Sequence, residues 1–489
     1  MSFILTLLIA PIITGLLTWS ISHRKTANLI HLVGSLVTLG SGLILSYMVF
    51  IGNPIVNGNR FIYVDSLSAL LIVIITVVGF TASLFSIGYM GRELAEGVIS
   101  EKEYHRYYLW FHLFISTMLA VVITNNIGFM WIAIESTTLV SALLVAFYRK
   151  GNALEAAWKY MIMGSLGIAL ALLGVIFLYT SGLDFLGKEE TALNWTTLAE
   201  TASQLNPQWV EWAFIFILVG FGTKAGLAPL HFWLPDAHSQ APSPISAVLS
   251  GVLLNTALYG IIRIFIIANQ TLDGGAEKWL LAFGLFSVAI TVPFILVQHD
   301  FKRMLAYSSV EHIGVITLGL GIGGTLGFFG ALLHMFNHSM AKSLMFLAAG
   351  NVNQKFHTKM MDRISGVVKA MPVSGPVLLM GTFALSGVPP FSIFLSEFTI
   401  MLAGFREGKA WASILLIIFI VFIFSGMIYY ISKMVFGNRP VKVEKGEISH
   451  WSSAALFIPL IFIILLGIYI PPFFQESLGK ITILLKGGQ

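Results

Sequence analysis

Apolar stretches of about 20 residues recur along this chain, fourteen of them in all. A run of that length crosses the hydrocarbon core of a bilayer as one helix. Inside lipid every backbone N–H and C=O must be satisfied within the protein, so only helices and closed barrels survive there. The expected fold class is an all-α polytopic membrane protein with about fourteen transmembrane helices. They lie near 3–20, 27–50, 66–89, 107–124, 126–147, 153–181, 210–230, 242–269, 279–298, 303–323, 325–351, 371–403, 410–436 and 453–473. With 57% hydrophobic and 10% charged residues among 489, the composition excludes an ordinary soluble domain.

What is missing narrows the function. There are no cysteines, so disulfides, thiolate catalysis and cysteine-held iron–sulfur clusters are excluded. The net charge of +5 is small and scattered over connections, which argues against nucleic acid as a partner. The first apolar run, Phe3 to Trp19, has neither a basic start nor a small-residue cleavage site, so no cleavable signal peptide is expected. Basic residues set an orientation. Seventeen, from Arg24 and Lys25 to Lys442 and Lys445, fall in connections after odd-numbered spans. Five, Arg60, Lys188, Lys278, Arg406 and Lys409, follow even-numbered spans. That bias predicts odd connections in the cytoplasm, both termini outside, and an even number of spans.

Two segments repeat. Gly226-Leu-Ala-Pro229-Leu-His-Phe-Trp-Leu234-Pro-Asp236 aligns with Gly387-Val-Pro-Pro390-Phe-Ser-Ile-Phe-Leu395-Ser-Glu397 at a constant offset of 161 residues. Lys159 and Gly167 match Lys342 and Gly350, each pair eight residues apart. The seventh span is thereby set against the twelfth and the sixth against the eleventh. Five spans is an odd number, so the second copy must be inverted relative to the first. The expected organisation is 1–106 as N-terminal helices 1–3, 107–269 as a first five-helix repeat (helices 4–8), 279–436 as a second (helices 9–13), and 437–489 as a C-terminal helix 14. Both repeated segments carry proline inside an apolar span, which removes a donor and clashes with the preceding turn. Helices 7 and 12 are therefore expected to be broken, either as simple kinks or as functional discontinuities.

Charges sit where apolar helices should be. Lys159, Lys224 and Lys342, with Glu135, Glu311 and Glu397 and with His312, His334 and His338, fall within predicted spans. One charge at a helix centre costs about 2.5–3.5 kcal/mol on insertion scales, and such groups mark ion or proton pathways. Lys224 is the natural partner for Glu135, and a static buried ion pair is the plainer alternative. His334, His338 and Lys342 are spaced by four and share one helix face, about 6 Å apart along the axis. Such a column can pass protons through a water or a hydroxyl; the alternatives are metal ligation and core packing. No acidic or cysteine ligand accompanies these histidines in sequence, so no metal is expected. Asp300, Lys302 and Arg303 read as a solvated surface, with His312 about two turns deeper. Asp236 and His238 fit an access path or a helix cap, and Arg263 fits snorkelling to an interface.

The run Pro229-Leu-His-Phe-Trp-Leu-Pro-Asp-Ala-His-Ser-Gln-Ala-Pro242 resembles the antiporter-like subunits of respiratory complex I, a superfamily that includes Mrp-type cation/proton antiporters and membrane-bound nickel–iron hydrogenases. Lys302-Arg-Met-Leu-Ala-Tyr-Ser-Ser-Val-Glu-His-Ile-Gly, Val388-Pro-Pro-Phe-Ser-Ile-Phe-Leu-Ser-Glu and Val64-Asp-Ser-Leu-Ser extend the likeness over essentially the whole chain. The Ser-Ser-Val-Glu-His form is most similar to the F-type component of hydrogenase-4. The resemblance implies that Glu135, Lys224, His312, His334, His338, Lys342 and Glu397 carry protons along the membrane mid-plane, with Lys159, Asn255 and Asp236 in secondary roles. Asn255 stands where the family often has a lysine, so a histidine must substitute there or coupling is weaker. Implied partners are other membrane subunits, including a homologous antiporter-like or membrane-anchor subunit, and peripheral nickel–iron and iron–sulfur subunits on the cytoplasmic side of an inner (cytoplasmic) membrane. This chain itself is expected to hold no cofactor and no redox centre. Two other readings are an Mrp-type antiporter subunit and a non-pumping scaffold.

Overall fold

The computed structural model describes residues 2–57, 60–187 and 191–487. The helices that matter here are α1 (Ser2–Ser20), α2 (Arg24–Ile51), α3 (Ser66–Ala95), α4 (Glu101–Ile123), α5 (Ile127–Val145), α6 (Gly151–Ser181), α7 (Pro207–Ala225) and α8 (Trp233–Gln240). They continue with α9 (Ser243–Thr271), α10 (Glu277–Leu296), α11 (Phe301–Ile322), α12 (Gly324–Phe356), α13 (Ser374–Leu385), α14 (Ser392–Arg406), α15 (Ala410–Val435), α16 (His450–Ile468) and α17 (Pro472–Leu485). Among the described residues, eleven helices are long and apolar enough to cross a membrane. The other three expected spans correspond to α7, α12 and the pair α13–α14, whose polar or interrupted sequences carry the groups of interest. A two-residue hairpin, β1 (Ile55–Val56) with β2 (Tyr63–Val64), and helix α17 have no counterpart in the apolar pattern. Lys188 lies outside the described residues.

Local chemistry sets the helix starts. Asp65 caps α3 by accepting from Ser68 N at 3.0 Å, Asn126 caps α5 through Phe129 N, and Asp300 caps α11 through Arg303 N. Ser100 and Glu103 form a reciprocal capping box ahead of α4. Asn206 caps α7, and Pro207 occupies the first helical position, where its missing N–H costs nothing. Connections after odd spans bond to one another, as in Phe301 N to Lys359 O and Gly446 N to Ala370 O. Connections after even spans do the same, as in Asn125 N to Phe61 O and Trp195 N to Asn125 O. The alternation inferred from basic residues therefore corresponds to two physical ends of the bundle.

The two predicted breaks are present and similar. After Ala225 the chain turns at Gly226 (φ +83°), a left-handed conformation that glycine adopts without a Cβ clash. After Leu385 it turns at Gly387 (φ +66°). The peptide bonds Ala228–Pro229 and Pro389–Pro390 are both cis. Freed backbone groups are met by side chains: Trp233 Nε1 donates to Thr223 O at 2.8 Å, Ser287 Oγ accepts from Ala228 N at 2.9 Å, and Asn337 Nδ2 donates to Ser392 O at 2.8 Å. Small residues bring helices into backbone contact, the usual way of packing in lipid. A Cβ on Gly220 of α7 would lie 2.5 Å from Gly167 O and Ala171 N of α6. Gly284 of α10 and Gly314 and Gly321 of α11 form a second seam of this kind.

Candidate functional site

The first cluster is built around Lys224, which occupies the last turn of α7, where the unsatisfied carbonyls favour a cation. It is buried at 1% exposure. Its Nζ donates to Thr138 Oγ1 at 2.7 Å and to the Tyr160 hydroxyl. Thr138 in turn donates to Glu135 Oε2 at 3.1 Å. Glu135 and its expected partner Lys224 are thus joined through a hydroxyl bridge, with Glu135 only half-buried on an outward face of α5 and Lys224 pointing inward. Tyr160 is further held by Ser141 Oγ at 2.7 Å, and its ring lies 4.5 Å below the ammonium. Lys224 on α7 and Thr138 and Glu135 on α5 thus form one hydrogen-bonded line.

Lys159 and Asp236 do not join this cluster. Lys159 is half exposed and pairs with Glu155 Oε1 at 2.7 Å and Asp236 Oδ2 at 3.1 Å. Asp236 also meets Arg303 Nη1 at 2.7 Å. These residues form an ion-pair cluster at one end of the bundle. The expectation of Lys159 at mid-span is corrected by its orientation: half exposed, it turns to Glu155 one turn earlier on its own helix and to Asp236 of α8. Lys302, read as solvated, is instead buried, with Nζ donating to Ala241 O at 2.6 Å. Arg263, read as snorkelling, is also buried. Its guanidinium grips Asp65 with two bonds of 2.6 and 2.7 Å, donates to Ser68 Oγ at 2.9 Å and lies 4.4 Å from the Trp195 ring centroid. A buried charge needs such a partner, and Asp65 is 198 residues away in sequence.

The second cluster gathers around α12. His334 Nε2 lies 3.0 Å from His312 Nδ1 on α11, and His334 Nδ1 lies 2.9 Å from Ser396 Oγ on α14. His338 Nε2 reaches Ser250 O at 3.3 Å on α9, in the π-helical turn Leu249–Leu253 that precedes Asn255. Asn255 Nδ2 donates to Ser339 Oγ at 2.8 Å, so it meets the same face of α12 as the histidines. Lys342 Nζ donates to Leu305 O at 3.1 Å. Glu397 follows directly on Ser396, and an acidic group therefore does accompany the histidines in space: donor atoms of His312, His334 and Glu397 lie within 4.8 Å of one another. Such a set has the chemistry of a cation ligand as well as of a proton relay. The 3.0 Å contact between two imidazole nitrogens is a hydrogen bond that holds one shared proton.

Between the clusters lie His238 and Asn255. His238 is fully buried, bonded to Leu234 O at 2.9 Å, with its ring between Trp233 and Phe346. Thr138, Tyr160, Ser250 and Ser396 are the site residues that sequence reasoning overlooked. They are neutral hydroxyls in apolar surroundings, with no signal of their own except proximity in the fold.

The family described as NADH:quinone oxidoreductase/Mrp antiporter, TM, matches residues 124–425, and that described as NADH-ubiquinone oxidoreductase (complex I), chain 5 N-terminus, matches residues 59–108. The hydrogenase-4 component F homolog of Methylacidiphilum infernorum (isolate V4) is 37% identical over 483 residues, covering 97% of this chain and 98% of that protein. A chain of the membrane-bound sulfane sulfur reductase, an archaeal respiratory membrane complex, superposes with a TM-score of 0.85 at 26% identity, over 98% of this chain and 96% of its own. A chain of the Mrp complex from Dietzia sp. DQ12-45-1b gives 0.87 at 18% identity over 99% and 97%, a likeness of fold alone. This chain belongs to the NADH:quinone oxidoreductase/Mrp antiporter membrane family.

Proposed function

We propose that this chain is the ion-translocating, antiporter-like membrane subunit of a group 4 nickel–iron hydrogenase or formate hydrogenlyase-like complex, moving protons, with a sodium-linked variant of the same scheme open to test. The observation that carries the reading is a pair of buried lysines, Lys224 and Lys342. Each is held by neutral hydrogen-bond acceptors, with no carboxylate in direct contact among the described residues. A lysine without a direct counter-ion is poised to release its proton when a nearby charge changes. In this scheme a charge arriving from a neighbouring subunit acts first on half-buried Glu135. Thr138 relays the change to Lys224, the proton moves towards Lys342, and His312, His334 and His338 carry it to Glu397. Asn255 orders the Ser339 side of α12 rather than carrying a proton itself.

The fourteen-span arrangement, the inverted repeats at 107–269 and 279–436, and both termini outside the inner membrane belong to the same proposal. The matched turns at Gly226 and Gly387 and the two separately bonded bundle ends support them. Redox chemistry would reside in peripheral nickel–iron and iron–sulfur subunits, and a homologous membrane subunit would adjoin Glu135. Affinity purification of a tagged chain from native membranes tests the assembly. Co-purifying nickel–iron and iron–sulfur subunits are expected; small hydrophobic antiporter subunits without redox proteins would overturn the hydrogenase assignment in favour of an Mrp-type complex.

A further inference from the structure

Glu311 has no part in the line of groups described so far, yet its surroundings suit a proton carrier. It is buried at 2% exposure on α11, and Ser308 Oγ donates to its Oε2 at 3.1 Å. The same oxygen lies 3.8 Å from His312 Nε2, near it but beyond hydrogen-bond range. Lys342 is anchored at Leu305 O on the same helix as Glu311, six residues or about 9 Å of helical rise before it. Lys342 and Glu311 are the opposite charges that act on each other there, and Glu311 also acts on Glu397. Beyond His312 the hydrogen-bonded contact to His334 and the approach of Glu397 extend the set of neighbouring groups.

Charge makes this set more than a group of neighbours. Lys342 is the buried cation that acts on Glu311, and a buried carboxylate without compensation is costly. A carboxylate beside a lysine can be the ion while the lysine is an ammonium and the acid once the lysine is a neutral amine. We infer that Glu311 is a proton-relay residue that accepts the Lys342 proton and delivers it through His312 and His334 to Glu397. The inference rests on the proton-translocation reading above. The Lys342 ammonium becomes a neutral amine and the Glu311 carboxylate a carboxylic acid, with the Ser308 hydroxyl or one water spanning the gap. Glu311 then protonates His312 Nε2, while the Nδ1 proton of His312 passes to His334 Nε2. His334 in turn gives up its Nδ1 proton on the side of Ser396 and Glu397. No oxidant, reductant or further reactant is required.

The competing role is a static counter-ion, permanently ionised beside Lys342. The assembled complex, in wild-type form and as E311Q, E311D, S308A and K342A, is tested in membrane vesicles for protons translocated per dihydrogen produced. Infrared difference spectra are recorded across turnover. The relay predicts at least a tenfold loss of coupling in E311Q, partial recovery in E311D, and a protonated-carboxyl band that E311Q removes. Coupling within twofold of wild type in E311Q, beside a defective K342A, overturns the role of Glu311 and leaves the translocation reading standing. Wild-type coupling in both E311Q and K342A overturns both. If E311Q fails to assemble, S308A decides: a reduced coupling ratio supports the relay and an unchanged one contradicts it.

Discussion

Replacing Thr138 with valine removes one hydroxyl and almost no volume, and among the described residues that hydroxyl is the only hydrogen-bonded link between Lys224 and Glu135. Both of its bonds involve a charged or chargeable group, and such bonds contribute about 1.5–3 kcal/mol each. Losing the shorter one at 2.7 Å leaves the Lys224 ammonium with Tyr160. If transfer between Glu135 and Lys224 runs through Thr138, the barrier rises by that amount, which slows transfer about 10- to 150-fold. The assay is proton translocation per turnover by the assembled complex in vesicles, with subunit content checked by gel. Redox activity without proton movement is the expected signature of T138V, and T138S should recover most of the coupling. Undiminished coupling in T138V would show that Glu135 and Lys224 communicate by another route.

Other consequences follow from packing and charge. Gly220→Ala places a Cβ 2.5 Å from two backbone atoms of α6; overpacking of this kind costs about 1–3 kcal/mol, so the melting temperature of the solubilised complex should fall, and an unchanged value would contradict the close seam. Asp65→Asn leaves Arg263 buried without its counter-charge, a change that costs about 3–5 kcal/mol and should cut the yield of folded protein, while a wild-type yield would show that the pair does not determine the fold. Lys159→Ala should leave proton translocation at the wild-type level, since its exposed ion pairs contribute about 1 kcal/mol or less; a large loss would return Lys159 to the pathway.

The fold was legible wherever lipid imposes one answer on the sequence. Long apolar runs must be helices, and paired Gly-x-x-Pro segments must interrupt them, so the spans and both breaks were readable in advance. Side-chain direction was less legible. Lys159 and Lys224 both lie within apolar runs, but only Lys224 is buried; Lys159 is half exposed, its ammonium held by Glu155 and Asp236. Arg263 illustrates the opposite error. Its partner Asp65 lies on the cap of α3, and no local pattern announces a contact over 198 residues. The polar half of each cluster was invisible for a third reason: Thr138, Tyr160, Ser250 and Ser396 are ordinary helix residues until the fold places a lysine or a histidine against them. Helix α17, at 14 residues, is shorter than a membrane span, and the Ile55–Val64 hairpin has strands of only two residues, too short to produce a periodic signal.

The decisive measurement is proton translocation by vesicles containing the assembled complex, compared between wild type, K224A and K342A at equal subunit content and with redox turnover recorded in parallel. Proton movement is expected to collapse in both variants while some redox turnover persists. Translocation at the wild-type ratio in both would contradict a path through the two buried lysines and leave this chain a scaffold.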